Sequence, residues 1–192
     1  MRPDFRLLQR HTGLQRHTGA LAMFIALSLA AFNAHAQSYA VEMIIFANID
    51  GDDRYSETWR ADPGLPDTSR ATPISGADNG VVAVGSNAYR LSGIWQVLRG
   101  SSQFRPLRHL AWTQRGRSSR SAPELLLGDS PSSDVYGTVR LSRSRFLHLD
   151  LDLLLSDDNG SYRLTNHRRM RSNELNYIDH PLFGVLVIAT PL

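Results

Sequence analysis

The sequence predicts an α+β fold, mainly an antiparallel β-sheet of five or six strands with one short packed helix and long loops. Apolar and polar residues alternate with period two between positions 137 and 155, as in strands that have one buried face. Asn159-Gly160 follows this run and is a strong signal for a tight hairpin. One stripe of apolar residues at helical spacing predicts the helix.

The first 36 residues have the three parts of a secretory signal peptide. An apolar core spans residues 21–32, and Ala34-His35-Ala36 matches the small-x-small cleavage pattern. The preceding segment is positively charged through Arg2, Arg6, Arg10 and Arg16. We expect cleavage after Ala36 and export of a mature chain that begins at Gln37. An uncleaved N-terminal anchor is the alternative.

Export changes the charge balance of the protein. The whole chain carries 21 basic and 18 acidic residues, for a net charge of +3. The signal segment removes four arginines and one aspartate, so the mature chain has equal numbers of both signs. A neutral exported chain lacks the electrostatic basis for binding nucleic acid. The chain has no cysteine, and its roughly 155 mature residues suffice for one apolar core, so we expect a single domain over residues 37–192.

The first mature strand is predicted from Tyr39 to Ile49. Residues 43–46 are apolar on both parities, which predicts a central strand covered on both faces. Residues 50–79 are rich in Gly, Pro and Asp and predict a long irregular excursion. A short strand is expected from Val81 to Val84.

The predicted helix runs from Ser92 to Arg99 and ends before Gly100. Its stripe at i, i+3, i+4 and i+7 consists of Leu91, Ile94, Trp95 and Leu98. The next strand is predicted from Phe104 to Gln114, and Pro106 places its start at a sheet edge. A polar loop then covers residues 115–133, with the leucines at 125–127 docking within it.

The long alternating run is predicted to form two strands, Val135–Leu141 and Phe146–Leu155, joined by a turn at residues 142–144. The Asn-Gly hairpin leads into a strand from Tyr162 to Arg171. Residues 173–184 are predicted to be irregular. Val185–Ala189 is apolar throughout and predicts a final short strand.

Three polar residues, His148, Asp150 and Asp152, share one face of a predicted strand at spacings of roughly 7 Å. Such a row is compatible with a divalent metal or with a hydrolase that depends on metal or carboxylates. The competing interpretation is a solvent face that pairs across strands with Arg140, Arg168 and Arg171. The chain has no Cys and no GxSxG motif, so we expect a protein that is not an enzyme and has no cofactor.

A second set of polar residues occupies the segment from Arg168 to Gly184. Its arginines have the chemistry to pair with Asp150 or Asp152 across the hairpin, or to bind carboxylates or phosphates of a ligand. Both interpretations remain open from the sequence. The predicted ligand-binding residues are Arg168, Arg169, Arg171, Glu174, Tyr177, Asp179 and His180.

Four stretches resemble the CsiV family of exported peptidoglycan-binding proteins of Gram-negative bacteria. They are YAVEMIIFANI, RPLRHLAW, RFLHLDLDL and RRMRSNELNYIDHPLFGVLVIA. The resemblance implies a periplasmic protein that binds peptidoglycan and supports cell-wall synthesis and cell shape. It also implies a penicillin-binding synthase and its lipoprotein activator as partners. Peptide carboxylates of the wall would suit arginine, and its sugar faces would suit tryptophan or tyrosine.

Overall fold

A computed structural model of the chain describes residues 37–49, 60–74 and 79–192. The predicted signal peptide and much of the predicted excursion at 50–79 lie outside the described residues. The strands are β1 Ser38–Asn48, β2 Thr72–Pro73, β3 Val81–Ala83, β4 Phe104–Arg115, β5 Leu125–Leu127, β6 Val135–Arg143, β7 Leu147–Asp157, β8 Gly160–Met170, β9 Asn176–His180 and β10 Phe183–Pro191. Helix α1 spans Ser92–Arg99, as predicted, and a 3₁₀ turn at Ser86–Ala88 precedes it.

The strands form two five-stranded sheets instead of one. Sheet 1 has the order β3-β4-β1-β10-β9 and sheet 2 the order β2-β5-β6-β7-β8. All pairings are antiparallel except the short parallel contact between β2 and β5. The predicted α+β class with a mainly antiparallel sheet and one short helix is confirmed. The strand count exceeds the prediction because the short strands β2, β5 and β9, of two to five residues, lie in segments that were predicted to be loops or irregular.

Strand β1 lies at the centre of sheet 1 and is covered on both faces, as predicted. Val41, Met43 and Ile45 belong to a buried cluster that contains residues of both sheets, so the sheets pack face to face. Ile44 and Phe46 point the other way, into a second cluster that includes residues of α1. Because side chains alternate between the two faces along β1, this one strand contributes residues to both cores.

A buried polar chain joins the sheets within the larger core. The indole Nε1 of Trp112 donates to Oε1 of Gln114 at 2.7 Å. The side-chain Nε2 of Gln114 then donates to the backbone oxygen of Leu141 on β6 at 2.9 Å. Trp112 is fully buried and Gln114 is 3% exposed, so these polar groups have found partners within the protein.

The predicted interruption at Pro106 is a bulge. The register between β1 and β4 shifts between Ile45 and Phe46, which face Arg108 and Pro106 respectively and leave Leu107 without an opposite residue. In the described residues, β3 pairs only with positions 112–114 of β4, so no strand covers the edge at Pro106. This arrangement confirms the predicted edge position.

A buried carboxylate fixes α1 to sheet 1. Glu42 is 5% exposed and accepts hydrogen bonds from the backbone N–H groups of Arg90 and Leu91, each at 2.8 Å. The same carboxylate contacts Nε2 of His109 at 2.8 Å, and the ring of Trp95 stacks on that imidazole. An isolated helix of eight residues is marginal in water, so these contacts are needed to hold it in place.

We expect Glu42→Ala to lower the free energy of unfolding by about 3 kcal/mol, because it leaves two backbone donors and a histidine without their buried acceptor. Chemical denaturation followed by tryptophan fluorescence measures this loss. Glu174→Ala, which removes an exposed carboxylate, is the matched control and should change stability by no more than about 0.5 kcal/mol. Equal denaturation midpoints for the two variants would contradict the anchoring role of Glu42.

Candidate functional site

Polar side chains on the outward face of sheet 2 are linked by hydrogen bonds and ion pairs. Along β7, Leu149 and Leu151 are buried, and the intervening His148, Asp150 and Asp152 point away from the core. This alternation confirms the prediction of one buried and one wet face. The three predicted residues therefore do share one surface, and their neighbours on β6 and β8 decide what that surface can do.

Asp152 is held by an arginine on the neighbouring strand β8. The Nε and Nη2 atoms of Arg163 donate to its two carboxylate oxygens at 2.7 and 2.8 Å, a bidentate fork. The hydroxyl of Thr165 adds a contact of 3.3 Å to Oδ1. The hydrogen bond to Asp152 raises the pKa of Arg163 above its ordinary value. The carboxylate is thus fully engaged within the protein.

Asp150 lies at the end of a hydrogen-bonded row of side chains. Its Oδ2 is 3.2 Å from Arg140, and its Oδ1 is 2.6 Å from Nδ1 of His167. Nε2 of His167 contacts Nδ1 of His148 at 3.3 Å, and Nε2 of His148 contacts the hydroxyl of Ser144 at 3.1 Å. An ionised carboxylate only accepts, so with neutral rings each imidazole donates toward Asp150 and accepts on its other nitrogen.

These contacts decide between the two interpretations of the arginines near β7. Arg140 pairs with Asp150, as predicted. The predicted pairing of Arg168 and Arg171 with the aspartates is wrong. Arg168 falls on the opposite parity of β8 from His167, and Arg171 instead lies 3.5 Å from Glu174.

Sequence reasoning missed His167, although a signal for it was present, and it included Arg163 in a basic run that could match the acids of the hairpin without assigning its partner. The hairpin closes with Asp157 opposite Gly160, so its loop is the two residues 158–159. Counting outward from that loop places Asp150 opposite His167. Arg163 lies opposite Leu154 and reaches Asp152 diagonally, a contact that requires side-chain geometry.

A strap of residues 60–74 crosses part of this face from β8 to β5. The backbone oxygen of Pro63 accepts from Arg163 at 3.4 Å, and Thr68 hydrogen-bonds to the hydroxyl of Tyr136 on β6. Beyond β6, Thr72 pairs with Leu125 of β5. The strap covers the half of the sheet near the β7–β8 turn. The half near the β6–β7 turn remains open.

Two adjoining depressions lie on this face and share Arg140, Asp150 and His167. The first, beside the strap, has a volume of about 280 Å³ and mixed charge, with Asp67, Arg70 and Glu124 in its wall. The second, of about 350 Å³, is open toward the β6–β7 turn and is lined by Ser118, Ser119, Ser142, Arg143, Ser144 and His148 besides the shared residues. Together they form one groove across three strands.

The open end of the groove carries two exposed arginines, Arg145 and Arg169, which we call the cationic end. The guanidinium carbons of Arg145 and Arg169 lie 5.5 and 4.8 Å from the ring centre of Phe146. Arg143 has the inward parity of β6, and its guanidinium carbon lies 5.9 Å from the ring centre of the buried Tyr39, away from the cationic end. In the described part of the chain neither Arg145 nor Arg169 forms an ion pair with a carboxylate. The ring of Phe146 therefore positions these two cations and leaves their charge available to an anion.

The predicted ligand-binding residues do not form one site. Arg169 belongs to the cationic end. Arg168 is exposed at the edge of sheet 2, and Arg171 and Glu174 pair in the connection to β9. The others lie on β9 itself, which shows that the predicted irregular segment at 173–184 is wrong over Asn176–His180. These remaining residues are Tyr177, Asp179 and His180.

Strand parity separates the residues of β9. Asn176 and Ile178 are buried, so His180 shares their inward side, where its ring lies 4.6 Å from that of Phe183. Tyr177 and Asp179 point to the outer face of sheet 1, away from the groove of sheet 2. Three neighbouring residues of the sequence thus face in two directions.

Among residues 37–49, 60–74 and 79–192, no three His, Cys, Asp or Glu side chains are arranged to hold a metal ion. Asp150 and Asp152 of the groove are instead engaged by arginine and histidine. Within the same ranges, no helix has the length and apolar character needed to cross a membrane.

Burial lowers the pKa of His180 below its ordinary value, and the nearby charge of Asp179 opposes this only in part. The backbone N–H of Leu182 donates to Nδ1 of His180 at 3.2 Å, a bond that requires this nitrogen to be unprotonated. The folded protein therefore favours the neutral imidazole.

We expect the free energy of unfolding to fall as the pH is lowered from about 7 to about 5, because the unfolded chain takes up the His180 proton first. His180→Asn keeps an acceptor for Leu182 without the titrating ring. Its stability should depend less on pH than that of the wild type. Denaturation curves across this pH range measure both slopes, and parallel slopes would contradict the assignment.

Comparison with known proteins bears on what this face binds. The model of a family described as "Peptidoglycan-binding protein, CsiV" matches residues 18–161 and 155–192. Neither the curated proteins nor the solved structures compared with the chain gave a match. The two matched segments overlap and together span far more than half of the sequence. The chain therefore belongs to the CsiV family of peptidoglycan-binding proteins.

Proposed function

We propose that this chain is a periplasmic, non-catalytic accessory protein that binds peptidoglycan through the open groove of sheet 2. The observation that carries the proposal is the cationic end, where Arg145 and Arg169 both lie at the ring of Phe146 with no carboxylate paired to them in the described residues. Family membership supplies the polymer, and the groove supplies a surface suited to it.

The chemistry of the wall polymer supports this assignment. Its peptide stems end in carboxylates, which guanidinium groups bind through charge-assisted hydrogen bonds. Arg145 and Arg169 flank Phe146, so their side chains are partly ordered before any ligand arrives. Ordering them in advance reduces the conformational entropy lost on binding. The serines that line the groove offer further donors and acceptors to the peptide amides.

The alternative of a wall hydrolase that uses His148, Asp150 and Asp152 has weaker support. Asp152 is held by the arginine fork, and Asp150 is shared by Arg140 and His167. Both carboxylates already accept hydrogen bonds from basic side chains, so their oxygens are occupied within the protein instead of facing a reacting group. The groove has the character of a recognition surface in which the aspartates orient the neighbouring arginine and histidine side chains.

The proposal extends to the location and partners of the protein. Residues 37–192 would be the mature binding unit, released from the signal peptide after Ala36. In the periplasm it would support wall synthesis and cell shape by acting beside a penicillin-binding synthase and its lipoprotein activator. These roles rest on the resemblance to the family and require their own tests.

Arg169→Ala is expected to weaken co-sedimentation of the mature protein with purified sacculi by roughly tenfold, with its melting temperature nearly unchanged. Arg99→Ala is the matched control, because it removes an exposed arginine from α1 on the other sheet. Arg171→Ala should also bind normally, since its exposed pairing with Glu174 contributes little.

The same assay separates the two functional classes. Binding without soluble muropeptides in the supernatant supports a binding protein. Release of muropeptides that stops in Asp150→Ala or with a chelator would establish the hydrolase instead. Equal binding by Arg169→Ala and Arg99→Ala would overturn the assignment of the cationic end.

The export proposal predicts that the protein recovered from a periplasmic extract begins at Gln37. Intact-mass and N-terminal peptide mass spectrometry measure this directly. Replacing the small residue that precedes the cleavage site, Ala36→Arg, should block processing and retain the longer chain. A wild-type protein recovered from the membrane fraction with residues 1–36 attached would favour the uncleaved anchor.

A further inference from the structure

A row of aromatic rings crosses the outer face of sheet 1, beyond the groove described above. Tyr177 on β9 stacks nearly parallel to Phe46 on β1, with ring centres 6.3 Å apart. Phe46 in turn meets Phe104 on β4 edge-to-face at 5.3 Å. Phe46 is buried, whereas Tyr177 at the sheet edge is 48% exposed. The row therefore ends in a ring that is accessible to solvent.

Gly184 explains how these rings meet across the intervening strand β10. It lies opposite Phe46 on one side and Asp179 on the other. A Cβ at this position would come within 2.5 Å of Phe46 and 2.8 Å of Tyr177. The absent side chain thus lets the two rings approach above the glycine. Tyr177 gains a packed support on one side, while much of its surface remains open.

A second contact fixes the orientation of the Tyr177 ring. Its hydroxyl donates to Oδ1 of Asp179, two residues along the same face of β9. Burial and this hydrogen bond raise the pKa of Tyr177 to about 12, so the phenol stays protonated and remains a donor. Phe46 therefore packs against the ring of Tyr177 and Asp179 holds its hydroxyl, so the accessible surface of the ring has a defined orientation before any ligand binds.

The charge of this surface differs from that of the cationic end. Asp179 is exposed and forms no ion pair with an arginine in the described part of the chain. Its Oδ1 accepts from Tyr177, and Oδ2 has capacity for further donors. A negative carboxylate beside the electron-rich face of a ring repels anions but accepts hydroxyl and amide hydrogens. The surface suits a neutral ligand that has an apolar C–H face and polar edges.

We propose that Tyr177 and Asp179 form a second binding site, which takes a neutral pyranose of an amino-sugar polymer. The apolar face of the sugar ring would lie on Tyr177, and its hydroxyl or N-acetyl N–H groups would donate to Asp179. This inference rests on the proposed function and assigns the two parts of the polymer to two different surfaces. The glycan strand binds at sheet 1, and the peptide carboxylates bind at the cationic end of sheet 2.

The test uses the mature chain and a tetramer of N-acetylglucosamine, a peptide-free probe of this sugar chemistry, followed by NMR titration. In the wild type, amide shifts should concentrate on β9 and on Gly184. Tyr177→Ala should raise the dissociation constant for the tetramer by about tenfold. Leu175→Ala, which removes an exposed apolar side chain from the segment between β8 and β9, is the control and should bind as the wild type does.

Two conservative variants keep the test valid if Tyr177→Ala fails to fold. Tyr177→Phe retains the aromatic face and should retain most of the affinity. Asp179→Asn keeps an acceptor for the tyrosine but removes the charge and should weaken binding. Unchanged affinity in both Tyr177→Ala and Asp179→Asn, or no shifts on β9 in the wild type at millimolar probe, would overturn the inference.

Binding to sacculi and binding to the tetramer together distinguish the second site from the proposed function. Arg169→Ala should bind the tetramer normally while losing affinity for intact sacculi. If the wild type binds sacculi through the cationic end but does not bind the tetramer, the glycan site alone is overturned. Loss of tetramer binding in Arg169→Ala would show that the sugar binds on sheet 2, and this would also overturn the second site.

Discussion

The carboxylate of Glu42 is the interaction on which the outer side of sheet 1 depends. Burying a charge is costly unless hydrogen bonds replace its water, and this one receives two backbone N–H groups and an imidazole. Because the acceptors sit on the central strand, the helix is positioned over Ile44 and Phe46. Phe46 then supports the ring of Tyr177 at the sheet edge. One buried acid thus determines the placement of the helix, the smaller core and the aromatic row that follows from it.

Sheet 2 uses its charges differently, because they lie on a face that water reaches. Pairs such as Arg163–Asp152 and Arg140–Asp150 are partly exposed and add little net stability. What they do is fix side-chain orientation and neutralise the middle of the face. The arginines at the β6–β7 turn face no carboxylate in the described residues, so the charge of the face is concentrated at its open end. A neutral chain thereby presents a local cationic surface.

The elements that the sequence predicts well are those that depend on local periodicity. The stripe from Leu91 to Leu98 predicted α1 with its observed bounds, and the leucines of β7 predicted its buried side. Division into two sheets was not predictable in this way, because it depends on which strands pair across long separations. The hydrogen bonds that join the strap to Arg163 and Tyr136 link residues that are 100 and 68 positions apart in the sequence. No local pattern encodes contacts of that kind.

The candidate site shows the same limit at the scale of single residues. Polar residues that are close in sequence predict one set of ligand-binding residues, but a strand directs neighbouring side chains to opposite faces. Arg168 and Arg169 therefore diverge on β8, as do Asp179 and His180 on β9. The residues that do meet, such as Asp150 and His167, are separated by a hairpin and joined by its register. Two strands at the edges of two sheets thus present basic residues on one face and an aromatic ring with a carboxylate on the other. The two surfaces lie on opposite outer faces of the packed sheets, so the basic character of one is kept apart from the aromatic and acidic character of the other.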